Sequence, residues 1–244
     1  NYNPIYVNNN VSTINQATIT AITNVTLNSK TYDSTTAANY SLSNAILTGR
    51  IGSDNISLTG GSAQFDNKSA GSSKTVTVTN YSLTGSDAGN YVLASNVTSY
   101  SGTANIDKAN LTVTANSQTK TYDGLDIANN SSGNYTVVGL QGPDSITSII
   151  LKYNNASAGA GNKTISVSNL TLDANTSLLN YNITQVSNTA STINKANLTV
   201  TVNNDSKFVT QTDTANYNGL SYSGFVNGEV LANSGVSGGT ITRT

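Results

Sequence analysis

The segment Lys30-Thr31-Tyr32-Asp33 returns as Lys120-Thr121-Tyr122-Asp123, 90 residues later. A single long globule would not repeat its own text at that spacing, so the chain is read as a tandem array whose unit has the size of a small β-domain. The match runs well beyond one tetrapeptide. Gly49-Arg50-Ile51-Gly52-Ser53-Asp54 aligns with Gly139-Leu140-Gln141-Gly142-Pro143-Asp144, Lys74-Thr75-Val76-Thr77-Val78 with Lys163-Thr164-Ile165-Ser166-Val167, and Asn90-Tyr91 with Asn180-Tyr181. Units end in Ile14-Asn15-Gln16-Ala17, Ile106-Asp107-Lys108-Ala109 and Ile193-Asn194-Lys195-Ala196, spaced 92 and 87 residues apart. Duplication of a whole domain suits a chain that needs reach or valency.

The phase of the repeat sets the expected boundaries. Asn1-Tyr2 lies 89 residues before Asn90-Tyr91, so residues 1–17 are expected to be the last strands of an earlier repeat. Repeats then follow over 18–108 and 109–195, with a partial one over 196–244. The chain is expected to be a fragment of a longer polymer. No signal peptide or transmembrane run is visible in it, as a fragment need not carry one.

Ser, Thr and Asn make up 105 of 244 residues, while charged residues reach only 9%. Disordered chains are usually rich in charge and proline. Here there are 2 prolines and 13 tyrosines, and the Thr-Val-Thr alternations suit pleated strands with one wet face. A net charge of −1 offers no footprint for nucleic acid and no polybasic membrane patch. Cys, His, Met and Trp are all absent, an inventory rare in a cytosolic enzyme. Each repeat must therefore be stabilised by its own core rather than by disulfides, which also suits export as an unfolded thread.

The strand signals are regular. Leu111 and Val113 alternate with Asn110, Thr112 and Thr114, and Leu198, Val200 and Val202 repeat the pattern. Further strands are expected at Tyr135 to Val138, Ile146 to Leu151, Lys163 to Asn169 and Tyr181 to Val186, separated by Gly-, Asn- and Ser-rich turns. No window shows a helical period over three turns. The expected fold is all-β, and about seven short strands per unit of about 90 residues fit an immunoglobulin-like sandwich. Asp87-Ala88-Gly89-Asn90-Tyr91 reads as a tyrosine corner, whose hydroxyl ties back to nearby backbone. The second unit keeps Tyr181 but has Ser177 where Asp87 stood. A parallel β-helix would show a coil repeat of roughly 20 to 30 residues; none is present, and discrete sandwiches joined into an elongated rod are expected.

Ile106 to Ala109, Leu111 to Thr114 and Lys120 to Gly124 together resemble the YDG repeats of very large Gram-negative surface adhesins. The third unit departs, with Lys207-Phe208-Val209 in place of Lys-Thr-Tyr. Its stretch Gly219-Leu220-Ser221-Tyr222-Ser223-Gly224-Phe225-Val226-Asn227-Gly228-Glu229 resembles the related MBG repeat. The first unit has Ser34 where the second has Gly124, so glycine is not obligatory at that turn. The resemblance implies a secreted filamentous adhesin of the two-partner or biofilm-matrix type, located at the bacterial surface or in the extracellular matrix. It implies contact with host-cell or matrix glycans or proteins through the full-length molecule, and no membrane insertion by this segment. The fragment itself is expected to be monomeric.

Catalytic chemistry is poorly provided for. There is no histidine base, no cysteine nucleophile and one glutamate, Glu229. Glycosidase work needs two acids facing one cleft, whereas Asp33 and Asp123, or Asp54 and Asp144, recur in every unit, as turn residues do. No enzyme and no cofactor are expected. Soft metal sites lack ligands. Asp107, Asp123 and Asp126 could offer oxygen to calcium, but solvated turn aspartates are the better reading, so no metal is assigned. Tyr32 and Tyr122 could stack on sugars; a half-buried tyrosine locking the first hairpin to the sandwich is favoured. Lys74 and Lys163 could form an isopeptide cross-link with a nearby Asn, but no acid is evident beside either, and ordinary exposed lysines are expected. Asn24, Asn55, Asn67, Asn96, Asn110, Asn162, Asn169, Asn182 and Asn197 head Asn-x-Ser/Thr sequons and are candidate glycan acceptors.

Two functions follow. The first is a structural stalk that projects a distal adhesive region. The second is a glycan- or receptor-binding module, whose contacts would lie in the most divergent unit at Phe208, Tyr217, Tyr222 and Phe225. The joints 106–111 and 193–198 carry no Gly or Pro, unlike flexible linkers. Near-continuous β connections are expected there, with Ile106 and Ile193 packed in the preceding domain and Leu111 and Leu198 in the following one.

Overall fold

The computed structural model describes residues 1–8, 12–173, 177–209, 211–212, 219–237, 239 and 241. Every extended element in them is a β-strand, and two short 3-10 turns, Ala88–Asn90 and Leu178–Asn180, are the helical segments. The chain divides into two compact units. The first is Asn1–Ala109 with Gln141–Asp144 and Thr176–Asn182; the second is Asn110–Leu140 with Ser145–Asn175 and Ile183–Thr244.

In the first unit, Ala17–Ile19 pairs parallel with Tyr91–Leu93, and Ala21–Thr23 pairs antiparallel with Ile46–Thr48. A second sheet orders Lys30–Thr31, Ser99–Asp107, Gly71–Thr84 and Ser57–Phe65, with its first pair parallel. The opening segment of the repeat therefore changes sheets between Thr23 and Lys30. Strand alternation places Val76 and Val78 on the inner face, and with Ile19 and Ile106 they are 0–1% exposed. Each such side chain contributes roughly 1.5–3 kcal/mol by leaving water.

The sheets of the second repeat have the same order. Tyr135–Val138, Ala109–Ala115 and Tyr181–Val186 form one sheet; Thr119–Thr121, Asn188–Asn194, Gly159–Leu172 and Ile146–Tyr153 form the other. Leu111, Val113, Leu151, Ile165 and Ile193 are buried in the second unit's core. The expected strands Tyr135–Val138 and Tyr181–Val186 are present with those bounds, and the other two run further, to Ile146–Tyr153 and Gly159–Leu172.

One glycine repeats for a steric reason. Gly49, Gly139 and Gly224 have φ of +107°, +95° and +109°, and a Cβ there would lie 2.3, 2.0 and 2.5 Å from the carbonyl oxygen of Thr18, Asn110 and Asn197. Those carbonyls belong to the opening segments of successive repeats, so the third repeat starts its fold as the other two do. It does not bury its strand as expected. Thr199–Val202 pairs with Leu220–Ser223 and, among the described residues, with no further strand. Val200 and Val202 are 49% and 58% exposed, and Leu198 is half-buried. Only Lys108 separates Ser99–Asp107 from Ala109–Ala115, as expected of a continuous joint, whereas residues 195–198 separate Asn188–Asn194 from Thr199–Val202.

Candidate functional site

The repeated Lys-Thr-Tyr-Asp motif builds a rigid tip. The Tyr32 N–H donates to Asp107 O at 2.7 Å and that of Tyr122 to Asn194 O at 2.8 Å, which ties each motif to its repeat's last strand. Just beyond, Lys30 Nζ donates to Asp33 Oδ1 at 2.7 Å and to Thr35 O at 2.9 Å, and Thr35 N donates back to Asp33 Oδ1 at 2.9 Å. Lys120, Asp123 and Leu125 repeat the arrangement at 2.7, 2.7 and 3.0 Å. The residue after the aspartate is left-handed in both copies, Ser34 at φ 63° and Gly124 at φ 77°. At Asp33, burial pushes the carboxyl up, but its bonds to Lys30 and Thr35 outweigh it and the net shift is downward. Lys120 is the main cause that lowers Asp123. Both aspartates, expected as solvated turn residues, are turn clamps held by a lysine.

The tyrosine side chain is a packing residue, and what it packs against comes from the following repeat. In the first unit the Tyr32 side chain is 1% exposed, and its hydroxyl donates to Asp144 Oδ2 at 3.0 Å. Its ring meets that of Tyr181 edge-on, with centroids 5.4 Å apart and planes at 78°. Tyr181 Oη donates to the same oxygen at 2.5 Å and accepts from Gln141 N at 3.0 Å. Asp144, itself 6% exposed, thus accepts from two phenols. Tyr32 belongs to the first repeat in sequence, and Asp144 and Tyr181 to the second. Nearby, Ala70 N donates to Asn180 Oδ1 at 2.9 Å. In the second unit Tyr122 repeats the act, with its hydroxyl donating to the Glu229 carboxylate. Glu229 stands in the third repeat where Asp144 stands in the second.

The receiving site is prefigured in the first repeat. Tyr91 Oη donates to Asp54 Oδ2 at 2.6 Å and accepts from Ile51 N at 2.9 Å, as Tyr181 does with Asp144 and Gln141. This corrects the tyrosine-corner expectation: Tyr91 ties to a loop 40 residues upstream, not to adjacent backbone. Asp87 instead accepts from Asn55 N at 2.7 Å. In the second repeat Asp173, not the aligned Ser177, takes that role towards Ser145 N at 2.9 Å; Ser177 caps the 3-10 turn through Leu179 N.

Burial, then the Asp144 bond, pushes the Tyr181 phenol far above the usual tyrosine value. Hydrogen bonds to Asp54 and Glu229 raise Tyr91 and Tyr122. A raised folded-state value favours the neutral phenol, so this contribution is whole below about pH 10, the unfolded value, and is lost as pH rises through the folded values. Stability followed by circular dichroism should hold to about pH 10 and then fall as phenolate absorbance grows. Ionisation of Tyr91, Tyr122 or Tyr181 near pH 10 in the folded chain, followed residue by residue and with no loss of stability, would contradict these bonds.

The sequence-derived ligand residues are only partly gathered. The Tyr222 and Phe225 rings lie 6.2 Å apart, Phe208 is 78% exposed, and Tyr217 lies outside the described residues. Phe225 and Glu229, with Tyr122, Lys195 and Leu198, line an open cleft of about 400 Å³. All nine of the candidate glycan acceptors named above are exposed. The Asn67 carbonyl is already engaged by Ser69 N and Lys74 Nζ at 3.1 and 2.7 Å. Lys163 is 5% exposed and donates to Asn155 Oδ1 at 2.5 Å, so neither lysine is the ordinary exposed residue expected. Asp66 lies 3.2 Å from Lys74, but its counterpart in the second repeat is Asn154. The shared feature is a lysine pinning an Asn turn. What sequence reasoning missed is the joint role of Tyr32, Asp144 and Tyr181, although the acids recur in phase at Asp54, Asp144 and Glu229.

A phenol-on-carboxylate lock repeated along an all-β array defines a repeat protein. The chain belongs to the YDG domain family, whose domain matches it twice, over residues 6–99 and 107–191. No curated protein and no solved structure matches it.

Proposed function

We propose that this chain is a non-catalytic spacer: immunoglobulin-like sandwich repeats that project the adhesive region of a secreted bacterial surface adhesin. The observation that carries the reading is the use of the signature tyrosine. Tyr32 is buried against Asp144 and Tyr181, residues of the next repeat in sequence, and is unavailable to a ligand. A motif repeated for binding would keep its aromatic face open; one repeated for packing covers it. The low charge and absence of Cys, His and Met fit an exported polymer better than a reactive site.

A spacer that projects a distal region is expected to be elongated: small-angle scattering from the full chain should give an extended profile, and one typical of a sphere would refute the spacer. The binding reading has one observation in its favour, the cleft beside Phe225 and Glu229. A glycan array probed with the full chain should be blank; competable binding lost on Phe225→Ala would favour that reading instead.

A further inference from the structure

The two tyrosine locks differ at one neighbouring contact, and the difference is reciprocal. In the first unit, Ser34 faces Gly142: a Cβ on Gly142 would lie 2.1 Å from Ser34 Oγ and 3.2 Å from Ser34 Cβ. In the second unit, Gly124 faces Asn227: a Cβ on Gly124 would lie 2.6 Å from Asn227 Cβ and 2.9 Å from its Nδ2. Ser34 and Gly124 are the same position of the tyrosine tip. Gly142 and Asn227 are the same position of the receiving turn, two residues before Asp144 and Glu229, at φ 52° and 51°. Each contact thus holds one side chain and one glycine, on opposite sides.

We propose that this pair is the specificity determinant of repeat docking: a serine-bearing tip seats only on a glycine turn, and an asparagine turn receives only a glycine tip. Backbone conformation does not impose the choice, because Ser34 occupies the left-handed region at the tip and Asn227 occupies it at the turn. What excludes the serine–asparagine combination is volume, since two Cβ atoms cannot approach to 2.6 Å. The glycine–asparagine pair adds one bond, Asn227 Nδ2 to Gly124 O at 3.3 Å. The receiving turn of the first repeat carries Gly52, with no atom of the described residues within 4 Å of its missing Cβ, and by this rule accepts either tip. The partner it fits is a tyrosine tip of another YDG repeat.

The inference rests on the tyrosine-lock reading, and the test separates the two. Amide exchange at Glu229, whose N–H donates to Val226 O at 3.0 Å, is measured in the full chain. Gly124→Ser should lower its protection roughly tenfold to a hundredfold, the usual range for an overpacked contact. Adding Asn227→Gly, which recreates the Ser34–Gly142 pair, should restore it, while Asn227→Gly alone changes it little. The reciprocal swap, Gly142→Asn rescued by Ser34→Gly, should act likewise on the Gln141 amide. If the double variants are no better protected than Gly124→Ser and Gly142→Asn alone, the pairing rule is wrong. If those amides are unprotected in the unmodified chain, the lock itself is wrong.

Discussion

Replacing Tyr32 by alanine is expected to destabilise the first unit by about 3–5 kcal/mol, the range for removing a buried aromatic side chain. The side chain is 1% exposed, its ring packs on Tyr181 at 5.4 Å, and its hydroxyl supplies one of two phenolic bonds to Asp144. Tyr32→Phe keeps the ring and withdraws the donor from a buried carboxylate, so about 1–3 kcal/mol is expected. Tyr122→Ala should cost less than Tyr32→Ala because Tyr122 is half-buried. Urea denaturation of the full chain measures all three. A Tyr32→Ala effect below that of Tyr122→Ala would reverse the ranking and the account with it.

The second large effect is expected at Gly139. Its φ of +95° and the Asn110 carbonyl 2.0 Å from the position of a Cβ act together. The left-handed backbone costs an alanine about 1–2 kcal/mol, and displacing the opening strand adds about 1–3 kcal/mol. Gly139→Ala should therefore destabilise the second unit by about 2–5 kcal/mol. Gly133, also at positive φ but with no atom of the described residues within 4 Å of a Cβ there, is the control: Gly133→Ala carries the backbone term alone. Equal denaturation midpoints for the two variants would show that close approach contributes nothing.

Much of the fold is legible in the chain because period and alternation are local. Leu111 and Val113, or Val76 and Val78, announce their inner face by spacing two residues apart, and all four are fully buried. Gly49 and Gly139 align at a fixed phase and prove to share one steric cause. The sheet change between Ala109–Ala115 and Thr119–Thr121 is not written in any residue pattern, since both segments look like one strand. The candidate site was less legible. Asp144 looks like any turn aspartate, and the sequence distance from Tyr32 to its partner, 112 residues, exceeds the repeat length. Recurrence identified Tyr32 and Asp144 as structural without revealing that each serves the other. Lys163 likewise reads as a surface residue until its pairing with Asn155 explains why it is buried.

The central claim is that the YDG tyrosine is a packing key seated in residues of the following repeat. Amide exchange in the full chain, compared with Tyr32→Ala, tests it most directly. The Gln141 N–H is bonded to Tyr181 Oη, which rests on Asp144, and the Ala70 N–H is bonded to Asn180 Oδ1. The account predicts that Tyr32→Ala strips protection from Gln141, more than a hundred residues away in sequence, and from Ala70. Amides around Ile165 in the second unit's core should keep theirs. Unchanged protection at Gln141 would contradict it.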